Sequence, residues 1–316
     1  MLVQLWLRDE LAVMTDSPYS IRNYRPADLS RFVQLYQEAE SLEPIGRPTT
    51  PQAIAEKLSM PNYTPEHDLL VIETGGDIIG FQDMLPELGI ERIVVDCWLR
   101  PAHRGRGMAR KLLSYALDRT RETGAKFLHV IVPEGSDAAV AILSRLGFKY
   151  VRRFLELRID VTEVDQAELK RAGRGCRHLH DGEEQKLLRI QKKSFAEHWG
   201  YNPDTIGTIT HRISSSHRSP EDVVLTCKED RITGYCWTEV TDQGEGRIYM
   251  IGSDPDYRGK GIGKKLLLAG LAHLKNKGIK SVWLTVDSEN ETACSLYQSV
   301  GFTLQKSYLW YEKAVD

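Results

Sequence analysis

The stretch Pro255-Asp-Tyr-Arg-Gly-Lys-Gly-Ile-Gly263 has a counterpart 154 residues earlier, Pro101-Ala-His-Arg-Gly-Arg-Gly-Met-Ala109. Each copy lies between an apolar, strand-like run and an amphipathic, helix-like segment. Other residues recur at the same offset of 154: Gly80 as Gly234, Glu91 as Glu245, Lys111 as Lys265, Gly124 as Gly278, and Gly147-Phe148 as Gly301-Phe302. A constant offset over such a length indicates an internal repeat, so the chain contains two copies of one domain.

The composition is that of an ordinary globular protein. Of 316 residues, 41% are apolar and 27% charged, and 42 basic against 44 acidic side chains leave a net charge of -2. Because no dense Lys/Arg cluster occurs, we expect neither nucleic acid nor a membrane as a partner. The five cysteines are scattered without a Cys-x-x-Cys pair, which argues against a disulfide framework and against a metal site. We therefore expect a cytoplasmic protein, either a monomer or a homodimer.

The repeat predicts the domain boundaries. We expect an N-terminal extension over residues 1–18, a first domain over 19–162, a polar linker over 163–175 and a second domain over 176–316. Each domain of about 150 residues is long enough to bury its own core. In both copies a helical segment precedes three strand-like runs. In the first copy the helix is expected over Asp28–Glu40 and the strands over Leu69–Thr74, Ile78–Met84 and Arg92–Leu99. In the second copy the helix is expected over Glu183–Phe195 and the strands over Val223–Cys227, Ile232–Val240 and Arg247–Ser253. Mixed helices and strands without strict alternation predict an α/β fold of the α+β kind.

The repeated glycine loop is suited to binding an anion. Glycines let the backbone adopt positive φ and approach a ligand closely. The free N–H groups at the start of the following helix carry a partial charge of about +0.5, which suits a pyrophosphate. A tight strand-to-helix turn without a ligand is the alternative for either copy taken alone. The loop lacks the Gly-Lys-Ser/Thr of nucleotide triphosphatases and the Gly-x-Gly-x-x-Gly of dinucleotide-binding folds.

On these residues the chain resembles the GNAT superfamily of acyl-coenzyme A-dependent N-acetyltransferases. In the second copy, Arg258–Gly263 is similar to the family's pyrophosphate loop, and Ile248–Ser253 to the splayed strand whose backbone pairs with the pantetheine arm. The segment Asn290–Phe302 resembles the family's Asn-x-x-Ala-x-x-Leu-Tyr-x-x-x-Gly-Phe pattern. The resemblance implies two tandem GNAT-like domains, each a mixed, splayed β-sheet flanked by helices. Such a tandem pair is similar to the mycothiol synthase family, in which the C-terminal half acetylates an amine and the N-terminal half is catalytically quiet.

The resemblance also implies which residues bind the coenzyme, acetyl-CoA. In the second copy these are Ile251, Gly252, Ser253, Arg258, Gly259, Lys260, Gly261, Ile262, Gly263, Lys264 and Asn290. In the first copy they are Cys97, Trp98, Leu99, Arg104, Gly105, Arg106, Gly107, Met108, Ala109 and Arg110. The first copy departs from the family pattern where Ser136 and Leu143 replace Asn290 and Tyr297.

Two catalytic roles follow from the resemblance and from amine chemistry. Tyr297 matches the family's proton donor to the departing thiolate, with packing beside Phe302 as the alternative. Because amines with a pKa near 10 are protonated at neutral pH, a base is also required. The usual glutamate position holds Arg247, which cannot act as a base. We predict that Glu245, two residues earlier and on the same strand face, acts through a water molecule, unless it is a solvated charge at a hairpin tip.

Further residues are predicted to bind the acceptor. Glu239 on the neighbouring strand is the second candidate base. Glu197, His198 and Trp199 follow the first helix of the second copy, where such folds place the acceptor-binding loop. A core aromatic residue beside a surface histidine is the alternative interpretation of this loop.

The predicted function is transfer of an acetyl group from acetyl-CoA to a primary amine of a small molecule in the second domain. Because Leu143 and Ile93 can neither donate nor accept a proton, the first domain is expected to bind coenzyme or brace the second without turnover. The alternatives are acetylation of a protein N-terminus or lysine, and a non-catalytic acyl-CoA sensor.

Overall fold

A computed structural model describes residues 18–215 and 218–315, so the predicted extension over 1–18 lies outside the described residues apart from Pro18. The strands are β1 (Ser20–Asn23), β2 (Leu69–Thr74), β3 (Asp77–Glu87), β4 (Arg92–Leu99), β5 (Phe127–Pro133), β6 (Lys149–Asp160), β7 (Cys176–His178), β8 (Val223–Lys228), β9 (Arg231–Val240), β10 (Gly246–Ser253), β11 (Ser281–Asp287) and β12 (Thr303–Ala314). The helices are α1 (Leu29–Leu42), α2 (Pro51–Leu58), α3 (Pro65–Asp68), α4 (Met108–Thr123), α5 (Asp137–Arg145), α6 (Gln166–Gly173), α7 (Glu184–Phe195), α8 (Ile206–Ser214), α9 (Ile262–Asn276) and α10 (Glu291–Val300). Within the described ranges, no helix combines the length and the apolar character needed to cross a bilayer.

The chain divides into two compact units. Unit 1 extends to Arg153 and resumes at Ser307, and unit 2 contains Phe154–Lys306. The strand order is β1-β2-β3-β4-β5-β12 in unit 1 and β6-β11-β10-β9-β8-β7 in unit 2. Each sheet is antiparallel except for one parallel pair, β4 with β5 and β10 with β11. These mixed sheets, flanked by helices, confirm the predicted α/β fold.

The last strand of each copy completes the sheet of the other unit. The segment Tyr308–Ala314 of β12 pairs antiparallel with β5, and Phe154–Asp160 of β6 pairs antiparallel with β11. The observed division therefore differs from the boundaries predicted at 162 and 176, which kept each last strand in its own copy. Because β6 and β12 are equivalent strands of one repeat, each can pair with the edge of either copy, as in domain swapping.

The predicted linker over 163–175 contains a helix. The side chain of Asp165 caps α6 by accepting a hydrogen bond from the N–H of Ala167 at 2.8 Å. Leu169 and Ala172 are buried in the same hydrophobic cluster as the apolar residues of α9. This segment therefore packs within unit 2.

Each face of the unit 2 sheet has its own core. Alternation along β9 sends Cys236 to the side covered by α9 and α10, and sends Tyr235 and Trp237 to the side covered by α7 and α8. Unit 1 is built in the same way, with α4 and α5 on one face and α1 and α2 on the other.

Candidate active site

The loop before α9 has the backbone geometry that an anion site requires. Gly259 and Gly261 both have φ of +74°, in the left-handed region that favours glycine. A Cβ at either position would meet no atom of the described residues within 4 Å, so the space beside the loop is open. Gly261 caps α9, whose first-turn N–H groups have no carbonyl partner within the helix. The loop therefore fits a pyrophosphate group.

The basic side chains of this loop bind other parts of unit 2. Arg258 donates through Nη2 to the backbone carbonyl of Ser194 in α7, at 2.9 Å. Lys260 Nζ donates to a carbonyl of the preceding turn at 3.3 Å, and Lys264 Nζ lies 3.5 Å from a carboxylate oxygen of Glu168. Arg258 thus fixes the loop to α7, and the backbone of the loop presents the anion site.

Strands β10 and β11 diverge towards the loop. Among the described residues, they pair only at Gly246 with Val282 and at Arg247 with Trp283. β10 then continues along Ile251–Ser253 with a free edge facing the gap. Unpaired backbone N–H and C=O groups on such an edge can bind an extended ligand. The predicted splayed sheet is thereby confirmed, and the predicted coenzyme-binding end of β10 lies on its open edge.

A β-bulge changes the direction of the side chains of β10 next to this gap. The register with β9 shifts between Ile248 and Met250, which leaves Tyr249 as the extra residue. Ile248 and Ile251 pack on the α9 and α10 side. Tyr249 and Met250 both pack on the α7 and α8 side. Two consecutive side chains therefore point to one face of the sheet, beside the open edge.

Tyr297 lies beside the gap on the α9 and α10 side. Asn290 positions α10 as its N-cap, since its side-chain oxygen accepts a hydrogen bond from Ala293 N at 3.1 Å. Tyr297 is 6% exposed, and burial, with a smaller contribution from the Cys236 thiol, raises the pKa of its phenol above the ordinary value. Cys236 pairs with Ile251 on β10. The phenol is therefore neutral at pH 7 and lies at the level of the open edge, where it can donate a hydrogen bond.

His198 approaches the same part of β10 from the other face. Its ring packs against Phe195 at a centroid distance of 4.8 Å, and a Cβ on Gly252 would lie 3.0 Å from the Phe195 ring. His198 Nδ1 is buried and has no hydrogen-bond partner in the part of the chain that the structure describes. Burial, reinforced by the charge of Arg258, lowers the pKa of the imidazole below its ordinary value. His198 is therefore neutral at pH 7 and can accept a proton.

The other predicted acceptor residues are spread along the α7 and α8 side. Trp199 packs its ring 6.0 Å from that of Phe154, and Glu197 is exposed. Glu239 is 3% exposed and is ion-paired with arginines, which favours a positioning role over that of a free base. Arg212 and Tyr235 on this face are not among the predicted site residues, although the alternation of Tyr235, Trp237 and Glu239 along one strand is a usable signal.

Glu245 is distant from the reaction centre. In the hairpin, the N–H of Thr241 donates to the backbone carbonyl of Glu245. Thr241 is five residues from Cys236, which is level with the open edge, and five residues of extended strand span about 17 Å. Its carboxylate is bound by Arg158 Nη1 at 2.5 Å. A single bridging water cannot span this distance, so the structure does not support Glu245 as the base. The hairpin-tip alternative describes its position.

Unit 1 repeats the loop without the rest of the site. Gly105 and Gly107 have φ of +74° and +75°, as in unit 2. The register of β3 with β4 is continuous, so β4 lacks the bulge. Leu143 and Cys97 line an apolar cavity of about 40 Å³ where unit 2 has the Tyr297 side chain. Two other predicted coenzyme-binding residues of unit 1 are bound within the unit: Arg104 pairs with Glu43 at 2.7 Å, and Arg106 donates to the Tyr19 hydroxyl at 2.7 Å. Arg110 is exposed. The remaining predicted residues are buried, namely Trp98, Leu99, Met108 and Ala109.

Comparison with known proteins shows the family of this chain. The acetyltransferase (GNAT) family matches residues 32–148 and 185–302. A mycothiol acetyltransferase of Thermobispora bispora is 30% identical over 241 residues, which cover 74% of this chain and 79% of that protein. One from Actinosynnema mirum is 25% identical over 288 residues, which cover 90% and 94%.

Solved structures share the fold. A GCN5-related N-acetyltransferase from Sphaerobacter thermophilus has a TM-score of 0.73 at 20% identity and covers 95% of this chain and 96% of its own. A tandem GNAT protein from the clavulanic acid biosynthesis pathway has a TM-score of 0.71 at 16% identity and covers 94% and 99%. The chain therefore belongs to the GNAT family of N-acetyltransferases. It carries two GNAT domains in tandem and resembles the mycothiol acetyltransferases.

Proposed function

We propose that the protein transfers the acetyl group of acetyl-CoA to a primary amine of a small molecule, with turnover in unit 2. The observation that carries this proposal is the placement of Tyr297 and His198 on opposite faces of the open edge of β10. When bound, acetyl-CoA supplies an activated thioester. The names of the related mycothiol acetyltransferases support a small-molecule acceptor, for which the amine of a mycothiol precursor is a candidate.

Tyr297 stabilises the departing thiolate by donating a hydrogen bond. With ordinary pKa values of about 10 for a phenol and 8.5 for a thiol, complete proton transfer is uphill by roughly 2 kcal/mol. Burial raises the pKa of Tyr297 further, so complete transfer is less favourable still. A hydrogen bond that strengthens as negative charge develops requires no such transfer.

His198 accepts the proton of the acceptor amine. Its lowered pKa keeps the imidazole neutral at pH 7, and its buried Nδ1 is without a partner among the described residues. An imidazole in this state is suited to general base catalysis near neutral pH. His198 therefore replaces the glutamate that the family often carries at the position of Arg247.

Unit 1 binds coenzyme without turnover. Its loop has the same backbone geometry as that of unit 2, but Leu143 stands in place of the phenol. On the α1 and α2 side, Arg47 binds Asp96 at 2.8 Å. On the same side, Asp83 accepts a hydrogen bond from Tyr63 at 2.8 Å and pairs with Lys57. Paired groups fill the face on which an acceptor would bind.

A thiol-release assay tests the proposed function. The full chain is incubated with acetyl-CoA and a panel of primary amines, and both free thiol and acetylated amine are measured. We expect equimolar thiol and amide with at least one small amine. Tight coenzyme binding without release would instead support the acyl-CoA sensor, and release only with peptides would support a protein acetyltransferase.

The pH dependence tests the role of His198. We expect kcat to fall as the pH drops through the lowered pKa of His198, because protonation removes the proton acceptor. The His198→Gln variant should lower kcat by about 10²-fold and lose this acid-side inflection. The exposed His180→Gln variant is the matched control and should retain it. An unchanged inflection in His198→Gln would assign the base to another residue.

A further inference from the structure

Three arginines share one carboxylate on the α7 and α8 side of unit 2. Glu239 Oε1 lies 3.1 Å from Arg212 Nη1 and 3.6 Å from Arg218 Nε, and Glu239 Oε2 lies 3.9 Å from Arg247 Nη1. We call this group the arginine cluster: Glu239 is 3% exposed, whereas the three arginine side chains are between 22% and 32% exposed, so the buried carboxylate lies beneath guanidiniums that solvent can reach. Guanidiniums held close together repel one another, and an anion that reaches them from solvent would relieve this repulsion.

Arg247 has hydrogen-bonding capacity that the protein does not use. Its Nε is buried without a partner in the ranges that the structure describes. Its guanidinium lies 4.7 Å from the ring centroid of Trp283 and 5.4 Å from that of Tyr249, which hold it in place. Burial, together with the charges of the two other arginines, lowers the pKa of Arg247. The charged form of Arg247 is therefore not fully compensated by the groups around it.

Further buried donors surround the cluster. The hydroxyl groups of Tyr201 and Tyr235 are buried and without a partner among the described residues, and Tyr235 is 0% exposed. Burial raises the pKa of both phenols, with a smaller contribution from Asp204, which also interacts with Arg212 and is the second carboxylate of this region among the described residues. Three guanidiniums against two carboxylates leave one positive charge in excess. Buried donors with an excess positive charge favour an anionic ligand.

We propose that the arginine cluster binds an anionic group, a carboxylate or a phosphate, carried by the acceptor amine. This inference rests on the proposed function and specifies the substrate class. Arg247 occupies the last paired position before β10 and β11 separate, and it pairs with Glu239 on β9. Glu239 is three residues from Cys236, or about 10 Å along the strand. The acceptor therefore has its anionic group several bonds away from the amine that becomes acetylated.

A binding experiment tests the cluster without turnover. Inorganic phosphate is titrated into the full chain by calorimetry, with saturating coenzyme A present to occupy the glycine loops. We expect phosphate to bind the wild type and to bind Arg247→Gln at least about tenfold more weakly, since one guanidinium is lost. The exposed Arg189→Gln variant is the control and should bind like the wild type. Equal affinity in Arg247→Gln and the wild type, or no binding to the wild type, would overturn the proposal.

Arg247→Gln is expected to fold, because Glu239 keeps its contacts with Arg212 and Arg218. A thermal unfolding curve close to that of the wild type checks this.

A turnover experiment tests the same site through specificity. Glucosamine 6-phosphate is compared with glucosamine, and 6-aminohexanoate with its amide, because each pair differs by one anionic group. We expect the anionic member to have a kcat/KM at least about tenfold higher, and this ratio to approach one in Arg247→Gln. A ratio near one in the wild type would overturn the inference. Phosphate binding that depends on Arg247, combined with no acetyl transfer to any amine, would contradict the proposed function and leave the anion site standing.

Discussion

Replacing Tyr297 with phenylalanine is expected to lower kcat by about 10²- to 10³-fold, because the thiolate then departs without a hydrogen-bond donor. The affinity for coenzyme A should change less than about threefold, because the ring that packs beside Phe302 is retained. Single-turnover acetyl transfer measures the first effect and calorimetry the second. A loss confined to kcat is the signature of a group that acts in the transition state.

A matched control separates this effect from the loss of any buried phenol. Tyr311 in unit 1 is 6% exposed, the same as Tyr297, and burial likewise raises its pKa. The Tyr311→Phe variant should keep the wild-type rate. If Tyr297→Phe retained near-wild-type acetyl transfer, catalysis would have to be assigned elsewhere, with unit 1 as the first place to examine.

Replacing Gly261 with valine is expected to weaken coenzyme binding to unit 2 by about 10- to 100-fold and to abolish most of the turnover. A β-branched residue is strained at a φ of +74°, and its side chain would enter the open space beside the loop. No atom of the described residues lies within 4 Å of the added Cβ, so the packing of the unit should be preserved. Calorimetric titration with coenzyme A measures affinity and stoichiometry together.

The repeat provides the matched variant in Gly107→Val. Gly107 has a φ of +75° in the equivalent loop of unit 1. We expect two tight coenzyme sites in the wild type and, in each single variant, one tight site and one weakened site, with a far greater loss of turnover in Gly261→Val than in Gly107→Val. The reverse order of turnover losses would place catalysis in unit 1, and one site in the wild type would show that unit 1 only braces unit 2.

Much of the fold follows from local chemistry that the sequence displays directly. The glycines at 259 and 261 require a strand-to-helix loop, and the apolar period after them requires a helix. The predicted strands over Leu69–Thr74 and Arg92–Leu99 are confirmed at their observed bounds. The polar composition of residues 163–175 does not reveal α6, because this short amphipathic helix buries only Leu169 and Ala172.

The site was harder to predict, since its parts come from separate elements. Tyr297 was identified from a motif, but its position beside the gap depends on where β10 and β11 stop pairing. The sequence places Glu245 on the same strand face as Arg247, but it does not show how far Glu245 lies from the gap between β10 and β11. Placing His198 required the contact between Phe195 and Gly252, which joins residues distant in the chain.

The sequence by itself determined that one domain occurs twice, that each copy begins a helix with a glycine loop, and that the second copy has Tyr297 where the first has Leu143. The tertiary structure alone decided which unit receives each last strand, because β6 and β12 are equivalent and their side-chain pattern fits either sheet edge. It also decided the bulge in β10 and the clustering of three arginines around Glu239. These features depend on strand register and on packing between elements, which short-range sequence patterns do not encode.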